Sequence, residues 1–202
     1  MKVKVCGISD IPTAQAVYEY GADMIGFVFA KSKRRVTPEQ AKEIIESLPA
    51  TIEKVGVFVN EERDVVQEIV GTCGLTMVQF HGEETEAYCQ SFRVPVIKAF
   101  RANTEEDVQQ AFKYNVAYHL FDSSIEQYYG GNGTSFDWDV LKGNMLHNQI
   151  ILAGGLHVDN VQRAIQEVHP AVVDVSSGVE TNGKKDSEKI KQFIVKAKGE
   201  IR

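Results

Sequence analysis

Eight short runs rich in Val, Ile, Leu and Phe recur along the 202-residue chain, and helical rather than strand periodicity fills the stretches between them. The runs are KVKVCG (2–7), MIGFVF (24–29), EKVGVFV (53–59), MVQFHG (77–82), PVIKAF (95–100), AYHLFD (117–122), QIILAGG (149–155) and AVVDVSSG (171–178). Such near-continuous apolar character marks strands covered on both faces, and parallel neighbours need a crossover of helix length between them. Alternation of this kind predicts an α/β fold with a parallel sheet. An open, doubly wound sheet usually carries a glycine-rich turn after its first strand, whereas here that turn is CGIS, without GxGxxG. A repeat of about 25 residues sits near the lower size limit of a (β/α)8 barrel. No interior linker, low-complexity tract or composition break divides the chain. The expectation is one single-domain (β/α)8 TIM barrel over residues 1–202.

The helical stretches carry their own punctuation. In TPEQAKEIIESL (37–48), Thr37 can cap, Pro38 suits the first helical position, and Ala41, Ile44, Ile45 and Leu48 share one face. Residues 104–114, 158–168 and 187–198 read the same way, with Thr104 and Asp107 spaced as a capping pair. The longest non-helical stretch, SSIEQYYGGNGTSF (123–136), follows the sixth strand and is a candidate active-site loop.

Composition excludes several classes of function. A net charge of −6 argues against a general nucleic-acid surface, though local basic groups can still bind a small anion. No apolar run reaches the length of a membrane span, and the N-terminus does not read as a secretory signal. The three cysteines, Cys6, Cys73 and Cys89, are widely spaced and form no CxxC, which argues against a disulfide framework or a zinc site. The expected setting is a reducing cytoplasm. Cys73 and Cys89 fall in helical stretches and read as packing residues. No His/Asp/Glu cluster has metal-ligand spacing, so no metal is expected.

In a barrel of this kind the chemistry lies at the C-terminal ends of the strands. Polar residues gather there: Cys6 on the first strand, Asn60 on the third, His81 on the fourth, Asp122 on the sixth, Asp174 on the eighth. AGGL (153–156) and SSGV (176–179) follow the last two strands, the usual phosphate site of such barrels. Gly154, Gly155, Ser176, Ser177 and Gly178 are therefore candidate phosphate-binding residues, although each turn alone reads better as a plain glycine turn. Arg34 and Arg35, in SKRR after the second strand, are a solvated charge pair or a guanidinium fork for a substrate carboxylate. Arg101, past the fifth strand, is a weaker anion-facing candidate. His81 reads as a structural histidine bonding the backbone or as part of the site, and Asp122 as a turn residue or as an acid. Trp138 is expected to pack the helix after the long loop.

Taken together, KVCGIS (4–9), GADMIGFVF (21–29), SKRRV (32–36), VGVFVN (55–60), VQFHGEE (78–84), GGNGTSFDW (130–138), ILAGGL (151–156) and VDVSSGVE (173–180) resemble the phosphoribosylanthranilate isomerases of tryptophan biosynthesis. The pieces run in family order across almost the whole chain. The resemblance implies a small (β/α)8 barrel and an Amadori rearrangement of N-(5′-phosphoribosyl)anthranilate to 1-(2-carboxyphenylamino)-1-deoxyribulose 5-phosphate. It implies a general base at Cys6, a general acid at Asp122, and Arg34 facing the anthranilate carboxylate. His81 and Asp174 are assigned to substrate binding. Ser9 stands where relatives often have Thr, and the GGNG loop also departs from the pattern; neither change touches the acid or the base.

One acid and one base suffice for this reaction, so no cofactor is expected. The partner is a phosphorylated small molecule, with no nucleic acid and no membrane, and the sequence fits a monomer and a homodimer alike. Asp122 would need desolvation or nearby negative charge to keep its proton, and Cys6 would need positive charge or N–H donors to lose its own. Two other ribotide enzymes on this scaffold fit less well. Indoleglycerol-phosphate synthase would want lysine and glutamate at other strand ends, and imidazole-carboxamide ribotide isomerase two aspartates. A sugar-phosphate-binding module without catalysis would not need both Cys6 and Asp122.

Overall fold

The computed structural model describes residues 1–101, 103–122, 138–141 and 149–199. Strands β1 (Lys2–Cys6), β2 (Met24–Val28), β3 (Glu53–Phe58), β4 (Met77–Phe80), β5 (Val96–Phe100), β6 (Tyr118–Asp122), β7 (Ile150–Ala153) and β8 (Val172–Val175) form one closed barrel in sequence order. Every neighbouring pair is parallel, and β8 closes onto β1 with Lys4 opposite Asp174 and Val5 opposite Val175. The candidate loop 123–136 lies outside the described residues.

Helices α1 (Ile11–Glu19), α2 (Pro38–Glu46), α3 (Arg63–Cys73), α4 (Glu86–Gln90), α5 (Glu105–Ala111), α6 (Val161–Val168) and α7 (Ser187–Lys198) pack outside the barrel. Their ends follow the sequence chemistry. Thr37 accepts from the Gln40 amide while the Gln40 side chain accepts from the Thr37 amide, a closed capping box, and Thr104 and Asp107 repeat it. Gly74 and Gly199 end α3 and α7 in the left-handed region. Between β6 and β7 the described backbone is the 3₁₀ turn Trp138–Leu141. Trp138 is buried and lies under the Arg163 guanidinium of α6, 5.5 Å from the ring centroid. Cys73 and Cys89 are buried on α3 and α4, free of disulfides.

Two apolar bodies result from the period of two along each strand. Val3, Val5, Ile25, Phe27, Phe58, Val78, Phe80, Phe121, Leu152 and Val173 face outward and pack with the helices. Met24, Val55, Met77, Ile97, Leu120, Ile151 and Val172 fill the lower barrel interior, with Ala99 and Ala153 above them. Small residues in that upper layer leave room inside the mouth. A short antiparallel hairpin, β9 (Glu180–Thr181) and β10 (Lys184–Lys185), follows β8, turned by Asn182 and Gly183 at φ of 53° and 76°. Two consecutive positive φ values make the Asn-Gly pair the natural residue choice there. No helix among the described residues is long and apolar enough to cross a membrane.

Candidate active site

A cavity of about 330 Å³ opens at the C-terminal mouth of the barrel. Cys6, Arg34, His81, Asp122, Gly154, Gly155, Asp174, Ser176, Ser177 and Gly178 all line it, whereas Asn60, Arg35 and Arg101 do not. Gln79 also lines it. The strand period explains the grouping: Cys6, Gln79, Asp122, Ala153 and Asp174 each stand two residues beyond an interior residue of their own strand. A second hollow of about 280 Å³ adjoins it, sharing His81 and Asp122 and bounded on its other side by Lys98, Phe100, Arg101 and Tyr114.

Cys6 ends β1 opposite Gly26 of β2. A methyl group on Gly26 would stand 2.8 Å from the Cys6 sulfur, so the sulfur occupies space that only glycine leaves open. Beneath it lies Lys4, fully buried, with its ammonium 3.0 Å from Asp174 Oδ2. Asp174 Oδ1 is buried without a hydrogen-bond partner among the described residues. Burial pushes the Cys6 thiol up, against the pull of the Lys4 and Lys185 ammoniums. The positive charge expected around Cys6 is thus present, but desolvation outweighs it. Burial by itself would lower the Lys4 ammonium, yet Asp174 and Cys6 together hold it above the usual lysine value.

Asp122 ends β6, with His81 Nε2 3.4 Å from its Oδ2. The other ring nitrogen of His81, Nδ1, lies 3.2 Å from Gln79 Nε2. With the Gln79 amide in this orientation its nitrogen donates to Nδ1, which assigns the Nε2 proton to the side of Asp122. The histidine ring is therefore held by side chains of the site, not by the backbone contact considered from the sequence. Gln79 Oε1 remains buried without a partner among the described residues.

Arg34 differs from expectation in its company. Its Nε and Nη2 form a fork onto Glu180, at 2.5 and 3.0 Å, with Nη1 outside the fork. The loop that carries it folds back over β2, with Val36 N donating to Val28 O at 2.9 Å. Glycine at position 7, with φ of +80°, is what admits the arginine: a methyl group there would stand 2.5 Å from Arg34 Cδ. Lys185 also reaches Glu180, at 3.2 Å. Burial raises the Glu180 carboxyl, but the Arg34 and Lys185 contacts outweigh that and bring it down to about 2. Arg35 instead bridges in register with Val28.

The turns after β7 and β8 build the far end of the cavity. Gly154 and Gly155 both have positive φ, 78° and 64°. Gly178 packs so tightly on the Leu156 carbonyl that a side chain there would collide with it. Two backbone turns in direct contact make a narrow, small-walled end suited to a compact anion. Ser176 departs from the simplest expectation, because its hydroxyl donates to the Cys6 carbonyl at 3.2 Å. Lys185 reinforces that turn, donating to Ser176 O at 2.8 Å. Lys4, Gln79, Glu180 and Lys185 went unnoticed in the sequence, although the Asn-Gly pair at 182–183 does announce the hairpin that carries the last two. No group of three His, Cys, Asp or Glu side chains among the described residues could hold a metal ion.

The family model for N-(5′-phosphoribosyl)anthranilate (PRA) isomerase matches residues 3–196. The chain belongs to the N-(5′-phosphoribosyl)anthranilate isomerase family. The N-(5′-phosphoribosyl)anthranilate isomerase of Bacillus cereus strain B4264 is 54% identical over 201 residues, covering 98% of each chain. The crystal structure of the Thermotoga maritima isomerase superposes with a TM-score of 0.89 at 42% identity, covering 98% of this chain and 99% of that one. An isomerase crystallised with reduced 1-(o-carboxyphenylamino)-1-deoxyribulose 5-phosphate aligns at 40% identity and a TM-score of 0.86, again over 98% and 99%. The family resemblance read from the sequence motifs and the barrel fold are both borne out.

Proposed function

We propose that this chain isomerises N-(5′-phosphoribosyl)anthranilate by metal-free general acid–base catalysis, with Asp122 as acid and Cys6 as base. The observation that carries this reading is the single cavity with Cys6 and Asp122 in its lining, glycine turns at one end and Arg34 in its wall. Family membership supplies the reaction class.

The substrate is an aminal. Its phosphate goes to the Gly154–Gly155 and Ser176–Gly178 turns, and its carboxylate to the Nη1 edge of Arg34, which Glu180 holds in place. Asp122 gives its proton to the furanose oxygen, the C1′–O bond breaks, and a Schiff base forms. The Cys6 thiolate then takes the C2′ proton. The C–H electron pair moves toward the iminium nitrogen to leave an enolamine, which tautomerises to the ketone. His81 holds the carboxyl of Asp122, and Asp174 and Gln79 offer buried acceptor oxygens to substrate hydroxyl or amine protons. All of this belongs to one catalytic barrel domain over 1–202, working in the cytoplasm on a small phosphorylated metabolite of tryptophan biosynthesis, without nucleic acid or membrane.

The purified chain, given N-(5′-phosphoribosyl)anthranilate and excess EDTA, is expected to consume it, read as loss of anthranilate fluorescence. Absence of turnover, or turnover restored only by an added metal, would overturn the reading.

A further inference from the structure

Lys4 is completely buried inside the barrel, and nothing in the acid–base scheme uses it. It stands two residues before Cys6 on β1, so both side chains project to the same side of the strand. Its register partner on β8 is Asp174, and the two side chains pair at 3.0 Å. Removing two charges from water costs several kcal/mol per ion, and apolar residues of the same volume would often serve stability equally well or better. Each of the other seven strands places an apolar side chain in the interior beneath the mouth: Met24, Val55, Met77, Ile97, Leu120, Ile151 and Val172. A charge pair kept there calls for a reason beyond packing. Directly above it is a thiol that must ionise to act.

We infer that Lys4 is a positioning residue of the isomerisation: its ammonium, fixed by Asp174, is the counter-charge that sustains the Cys6 thiolate. The inference rests on Cys6 being the base. Among the described residues, the charged or titratable groups facing Cys6 are Lys4 from its own strand, Asp174 from β8 and Lys185 from β10. Arg34, His81 and Asp122 share the same cavity from further elements, and β2 presents only Gly26. Lys185 spends its charge on Glu180 at 3.2 Å and on the Ser176 carbonyl. Among the described residues Lys4 makes its ion pair with Asp174 alone, whose second oxygen has no hydrogen-bond partner there, and the rest of its charge acts on Cys6. The pair therefore acts on the thiol in opposite senses. The ammonium favours the thiolate and the carboxylate opposes it.

That opposition gives a test that a packing role would fail. Cys6 ionisation is titrated in the full chain by ultraviolet thiolate absorbance and by iodoacetamide alkylation. The Cys6→Ser chain serves as the blank for Cys73 and Cys89. Lys4→Met should raise the Cys6 pKa by about 1–3 units, and Asp174→Asn should lower it. Should Lys4→Met fail to fold around an unpaired Asp174, the Lys4→Met/Asp174→Asn double variant removes both charges and should still titrate above wild type. The acid limb of kcat/KM should follow the thiol in each variant. A thiol pKa that is unmoved or raised in Asp174→Asn overturns the inference and leaves the base assignment standing. A thiol that moves as expected while the rate profile stays put overturns the base assignment, and with it any catalytic meaning for Lys4.

Discussion

Leu120 and Asp122 are neighbours on one face of β6, yet they belong to different worlds. Leu120 is wholly buried in the lower interior with Met24, Val55, Met77, Ile97, Ile151 and Val172. Asp122, one pleat higher, lines the cavity and meets His81. The step recurs around the barrel: Met77 below Gln79, Ile151 below Ala153, Val172 below Asp174. The lower layer is closed, apolar and filled. The upper layer holds an ion pair, a buried thiol and two buried acceptor oxygens with no hydrogen-bond partner among the described residues. Unsatisfied buried acceptors cost about 1–3 kcal/mol each, so the upper layer is stabilised by what lies beneath it and not by itself. One pleat of strand separates the part that holds the barrel from the part that lines the cavity.

The largest expected effect breaks the upper layer alone. Cys6→Ser and Asp122→Asn should each lower kcat by about 10²–10⁴-fold, the usual range for loss of a general base or acid. A serine hydroxyl ionises far less readily than a thiol, and an amide cannot deliver the proton. Thermal unfolding and binding of a reduced product analogue should change little. Near wild-type kcat in Cys6→Ser, with chemistry shown to be rate-limiting, would make the thiol a packing residue and erase the distinction drawn here.

The reciprocal change breaks the lower layer. Leu120→Ala removes a fully buried side chain from a filled interior and should cost about 2–5 kcal/mol of stability. The variant, assayed well below its melting temperature, should retain kcat/KM near wild type, because Asp122 is carried by backbone paired with β5 and β7. A loss of activity as deep as that of Asp122→Asn, in protein shown to be folded, would mean that the two layers are mechanically coupled.

The division was legible in the sequence where a strand's own pattern changes. Cys6, His81 and Asp122 each interrupt an apolar run at its end, and the Gly154–Gly155 pair and Ser176–Gly178 follow the last two runs. The upper layer's charge pair was not legible. In KVKVC, Lys2 and Lys4 sit at the same period and look alike, yet Lys2 is exposed and Lys4 is buried. What separates them is Asp174, which lies 170 residues away and reaches Lys4 only because the barrel closes β8 onto β1. Glu180 was hidden for the same reason: its meaning comes from Arg34, 146 residues earlier. Local periodicity reports which face a residue takes, and pairing across the closure decides what it meets there.

The smallest expected effect tests whether every polar group at the mouth end serves the chemistry. Thr37 begins α2 directly after the loop that carries Arg34, on the same end of the barrel as Cys6. It does not line the cavity; its hydroxyl accepts from the Gln40 amide at 3.3 Å, and the Gln40 side chain returns a bond to the Thr37 amide at 3.0 Å. Thr37→Ala removes one half of that box and exposes a helix-terminal N–H to water, which costs about 0.5–2 kcal/mol. Because the Arg34 fork is anchored from β9 and not from α2, the lost cap should leave KM and kcat at wild-type values while chemical denaturation shifts modestly. A rise in KM for substrate, with no change for analogues lacking the carboxylate, would show that the cap also steadies the arginine, and that the working layer extends outward from the barrel into its helices.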